Sequence, residues 1–139
     1  MKLQIMKGIR VPLAASLTAS LLFASAAHAD VEGGKLTLAG YIDAAEGEQL
    51  MAGHYATVID KLSPHTADFT LNRVAASTNL CVAYVATGKF DAAHGACDES
   101  IKMARLDVMN ATMVERLSHQ DSLSVAYANR AVLTKLSGQ

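Results

Sequence analysis

The residues of this chain best suited to covalent chemistry are its two cysteines, Cys81 and Cys97, 16 positions apart with Gly88 between them. If the chain is helical on both sides of that glycine, the two positions are nearly level across the turn and face inward. Two such thiols are within reach of a bridge. It would close a loop of about 16 residues and add about 3 kcal/mol by restricting the unfolded chain. The alternative is a pair of reduced, buried thiols serving as small core residues. Redox catalysis needs two thiols close in sequence, one of them at a helix start with a lowered pKa, and neither condition holds here. Zinc would need more than His94 and Cys97, because His94 falls off the apolar stripe and no second pair of ligands has metal-site spacing. His54 and His65 read as exposed loop and helix-end residues. No nucleophile motif, phosphate-binding glycine loop, carboxylate pair or CxxC is present. The expectation is therefore no catalytic residue, no metal and no cofactor, with a small secreted hydrolase or thiol redox enzyme as the alternative class.

The setting for those residues begins with Lys2, Lys7 and Arg10, an uncharged run from Val11 to Ala27, and Ala27-His28-Ala29 before Asp30. These are the three parts of a secretory signal peptide, residues 1–29, and no apolar segment of spanning length follows it. A periplasmic or secreted protein without a permanent membrane span is expected, in a compartment that favours a disulfide. The remaining 110 residues suffice for one small domain. Nine basic against 13 acidic residues give them a net charge of -4, and no basic cluster appears, which excludes a nucleic-acid role.

Three segments repeat. With Gly53, Gly88 and Gly138 in register, at spacings of 35 and 50, Tyr55 falls on Phe90, while Asn79, Cys81 and Val82 fall on Asn129, Ala131 and Val132. A period near 34 residues marks stacked helical hairpins that bury their apolar faces only against one another. Residues 30–40 read as a flexible or extended start, and 41–139 as the helical domain. Helices are expected from Tyr41 to Met51, His54 to Leu62, about Leu71 to Thr87, about Lys89 to Arg105, and about Ser122 to Leu136. The turn glycines and Ser63-Pro64 punctuate them. In the fourth helix Phe90, Ala93, Cys97, Ile101 and Ala104 form one stripe. Residues 106–121 are an insertion, in which the spacing of Met109, Met113 and Leu117 and a cap at Asn110 predict a short extra helix.

Over Asn79 to Ala104 the chain resembles a tetratricopeptide repeat: small Cys81, aromatic Tyr84, Gly88 at the turn, aromatic Phe90, then Ala93. The likeness extends more weakly to Tyr127–Gly138 and Tyr41–Leu62. It implies an all-α fold of stacked antiparallel hairpins in a short right-handed solenoid, with the last helix as a cap. It also implies an exported interaction module or adaptor without catalytic activity. In that family the first helix of each hairpin lines a concave surface, where polar residues hold an extended peptide. Asn79 and Asn129 occupy equivalent places on two such helices, and a carboxamide offers both a donor and an acceptor to a peptide backbone. Thr78, Val82, Val85, Val125, Val132 and Lys135 would complete the groove. The alternative is that each Asn bonds a neighbouring helix end. The partner is a protein or peptide of unstated identity, with self-association as a second possibility, and a purely structural part of an envelope assembly is a further reading.

Overall fold

A computed structural model describes the backbone of residues 3–6 and the whole of residues 36–63 and 72–138. Among these residues two short strands, β1 (Leu3–Met6) and β2 (Leu38–Tyr41), are followed by five helices: α1 (Gly47–Met51), α2 (Tyr55–Leu62), α3 (Arg73–Ala86), α4 (Phe90–Asn110) and α5 (Arg116–Ser137). Consecutive helices pack on one another from α1 to α5, and β2 lies against both α3 and α5. The described chain is thus mostly helical. Among its described residues no helix is long and apolar enough to cross a membrane.

Gly53, Gly88 and Gly138 all have positive φ, at 80°, 70° and 76°, as their turn positions require. After α3 the amides of Gly88 and Lys89 return to the carbonyls of Val85 and Tyr84, and after α1 those of Gly53 and His54 return to Leu50 and Gln49. Both turns are Schellman motifs. The repeat noticed in the sequence is a repeat of this stop signal.

The central element is α3, buried almost all round from Val74 to Val85. Its small and β-branched residues let α4 approach closely through Ala93, Ala96, Cys97, Ser100, Met103 and Ala104. That face differs from the expected stripe: Ser100 is buried and Ile101 only half-buried. Thr78 and Ser100 share a hydrogen bond of 2.7 Å across the interface, so two hydroxyls satisfy each other where an apolar residue was expected. Cys81 and Cys97 are buried there with sulfurs 2.09 Å apart, at disulfide distance.

Two further expectations change. No helix runs from Tyr41, because α1 begins only at Gly47: Ala45 and Glu46 have φ of 46° and 60°, a left-handed pair that no right-handed helix continues through. Nor is there a separate helix in 106–121. The insertion instead lengthens α4 to Asn110 and starts α5 at Arg116. Asn110 ends a helix rather than capping one, and Glu115 accepts hydrogen bonds from the amide and hydroxyl of Thr112 at the start of α5. Pro64, His65 and Leu71 lie outside the described residues.

Candidate functional site

The site is the surface formed where α3 and α5 face β2. Asn79 on α3 and Asn129 on α5 are both fully buried, 50 residues apart, the same interval as between Gly88 and Gly138. Each carboxamide grips one residue of the strand by both of its main-chain groups. The amide of Ala39 donates to Asn129 Oδ1 at 2.9 Å, and Asn129 Nδ2 donates to the Ala39 carbonyl at 2.7 Å. The amide of Tyr41 donates to Asn79 Oδ1 at 2.8 Å, and Asn79 Nδ2 donates to the Tyr41 carbonyl at 2.9 Å. Asn79 Nδ2 also reaches the carbonyls of Ala44 and Ala45, each at 3.0 Å.

This pattern follows from strand geometry. Alternate residues of an extended chain present their N–H and C=O groups to the same edge, so positions 39 and 41 can be read together. Two side chains therefore stand in for a neighbouring strand. The opposite edge of β2 pairs antiparallel with β1, Leu3 opposite Tyr41 and Met6 opposite Leu38. That strand falls inside the segment read as a leader, so removal of residues 1–29 would leave the outer edge of β2 unpaired.

Side chains fix the register. Leu38 enters the main core with Leu50, Val58, Leu62 and Leu133. Tyr41 enters a second cluster with Val74, Ala75, Met103 and Ala104. Gly40 lies between them, where an added Cβ would stand 2.5 Å from Leu50 Cδ2 and 2.9 Å from Asn79 Oδ1. Just beyond, a Cβ on Gly47 would stand 1.9 Å from the Tyr41 carbonyl oxygen. The space beside Gly40 is filled by the Leu50 and Asn79 side chains, and that beside Gly47 by the backbone of Tyr41 and Ile42.

The Tyr41 hydroxyl is buried without a well-formed hydrogen bond. Burial raises its pKa; the Ser122 hydroxyl opposes this, and the carboxylates of Asp107 and Asp121 add to it. A cavity of about 480 Å³ beside it is lined by Ser118, His119, Asp121 and Ser122.

The structure brings Asn79 and Asn129 onto one strand, but not onto an open groove and not onto helix ends. Val82 is a core residue, Val132 packs on the same core half-buried, and Lys135 is exposed in the last turn of α5. Thr78 turns toward α4 and takes no part in the site. The sequence reading missed the occupant, residues 38–41. Its signal was the alternation of Leu36, Leu38 and Gly40, which stops at Tyr41. Among the described residues no cluster of three His, Cys, Asp or Glu side chains is placed to hold a metal. No family model matches the chain, and no curated protein or solved structure matches it.

Proposed function

We propose that this chain is an exported, tetratricopeptide-like interaction module without catalytic activity, which holds an extended polypeptide by its main chain between α3 and α5. The observation that carries this reading is the pair of buried carboxamides, each bonded to both polar groups of alternate residues in one strand. Such contacts ignore side-chain identity, so specificity falls to the seats now filled by Leu38 and Tyr41. Export is supported by the leader-like start and by the cysteine pair at disulfide distance.

The test is a photo-crosslinking residue at Lys135, which is exposed on α5, in the chain expressed in its own cells. The expected result is an adduct with another exported protein that is lost in Asn129→Ala, with the helical circular dichroism of the variant checked in parallel. An adduct with no other protein would remove the adaptor reading.

A further inference from the structure

We propose that the Leu38–Tyr41 segment is an exchangeable ligand of the Asn79 and Asn129 groove, and that its occupant in trans is the same segment of a second copy of this chain. The proposal rests on the groove being a site for extended polypeptide. It adds that the chain carries its own ligand and that two copies trade it.

The bonds that hold β2 on its inner edge come from side chains of α3 and α5. They are the same bonds whether the strand arrives from its own chain or from another. The segment precedes the first helix, so withdrawing it separates no helix from its neighbour. What ties it in place is a short connection, residues 42–46.

That connection is strained. Ala45 and Glu46 are consecutive non-glycine residues in the left-handed region, with φ of 46° and 60°. Side chains disfavour this conformation, and single residues rather than pairs are its usual occupants. An arm that extends into a second copy lets both residues return to ordinary backbone conformations, while the bonds of Asn79 and Asn129 to residues 39 and 41 are remade. Those of Asn79 to the Ala44 and Ala45 carbonyls belong to the closed hinge and are given up. Short strained hinges favour this kind of exchange over closure within one chain. The Lys61 to Glu46 ion pair at 3.0 Å is one surface contact that opposes it, and its partly exposed setting makes it weak.

The groove also selects this segment. Leu38 and Tyr41 are each 2 % exposed, and any side chain at position 40 would have to displace Leu50 or Asn79. The favoured ligand has a large aliphatic residue first, Gly third and an aromatic fourth. Residues 38–41 of this chain, Leu-Ala-Gly-Tyr, supply it. A closed exchange between two copies is symmetric and satisfies both grooves, so it ends at the dimer.

The experiment mixes equal amounts of 15N-labelled and 13C-labelled full chain and records isotope-filtered NOEs together with molar mass. The expected result is a species of twice the chain mass, with contacts from the Asn79 and Asn129 carboxamides of one copy to Ala39 and Tyr41 of the other. Ala45→Gly/Glu46→Gly relieves the strain of the closed form, so it should raise the dimer dissociation constant about tenfold. A monomer at all concentrations, with these contacts only within one chain, would overturn the exchange. A synthetic peptide of residues 36–45 separates the two readings. If it displaces the arm of a chain that stays monomeric, the exchange fails and the groove reading stands. If it neither binds nor displaces, and the chain is monomeric, both fail, and the two asparagines are structural clamps.

Discussion

At the Asn79 and Asn129 groove, buried polar groups are matched by the main chain of residues 39 to 45, whereas from residue 105 to residue 121 no side chain is buried at all. In that second region Met109, Met113, Val114 and Leu117 are 77 %, 85 %, 87 % and 72 % exposed. One end of the molecule covers a polar groove with its own chain, and the other leaves apolar side chains in water. The contrast separates two sources of order. The groove is held by directed bonds that are costly to leave unmade. The α4–α5 extension is held by helix continuity, because adding residues to a helix already nucleated in a core needs no core of its own. Its cross-links are surface ones, the Arg105 guanidinium to the Tyr127 hydroxyl and His119 to Asp107 at 3.9 Å.

The comparison breaks most directly at Asn79. Asn79→Ala removes the partner of the Tyr41 amide and of the Tyr41, Ala44 and Ala45 carbonyls in a buried setting. It should cost about 4 kcal/mol in urea unfolding, with the arm released. A loss under about 1 kcal/mol would mean that water replaces the carboxamide and that the groove is no more ordered by polar bonds than the extension. The next effect is at the α3–α4 turn. Reduction, or Cys81→Ser/Cys97→Ser, opens a loop of 16 residues and should cost about 3 kcal/mol, while the melting of the double variant stays insensitive to reductant. An unchanged wild-type melting point on reduction would show that the buried interface, not the bridge, carries that stability.

Both predictions bear on what the sequence could disclose. Local signals were legible: the three glycine stops, the helical spacing around Gly88, and the level placement of Cys81 and Cys97 each depend on a few neighbouring residues. The equivalence of Asn79 and Asn129 was legible too, through the 50-residue interval. Their ligand was not. Tyr41 lies 38 residues from Asn79 and Ala39 lies 90 from Asn129, and no local pattern encodes such a pairing. Residues 41–51 show helical spacing, but Asn79 takes the Tyr41 carbonyl that a helix would have given to its own amide. The insertion was misread for the opposite reason. The spacing of Met109, Met113 and Leu117 is helical without being buried: Met109 lies near the end of α4, Leu117 opens α5, and Met113 sits in the turn between them, all on an uncovered surface.

A smaller effect sharpens the groove itself. Burial raises the folded pKa of Tyr41 above its ordinary value of 10.0. As pH rises through about 10 the unfolded chain loses its proton first, so stability that is complete below that pH falls until the folded group also ionises. Tyr55 shifts in the same direction through burial, so the alkaline loss is a sum of the two. Tyr41→Phe deletes a hydroxyl without a well-formed hydrogen bond. It should be nearly neutral at pH 7 and should flatten the alkaline loss in urea midpoints. An unaltered alkaline slope would place the loss elsewhere.

The smallest effect is expected in the extension. Met109→Gln/Met113→Gln/Leu117→Gln exchanges three side chains that the chain's own fold leaves in water, so no buried apolar area is lost. Each surface change of this kind falls within about 0.5 kcal/mol, and the unfolding midpoint should stay close to that of the wild type. At the two helical positions, Met109 and Leu117, Gln keeps a straight side chain and nearly the helix propensity of Met and Leu, which holds the helical contribution fixed. The variant thus isolates burial. A fall of more than about 2 kcal/mol, dependent on protein concentration, would mean that a second molecule covers Met109, Met113 and Leu117 in solution.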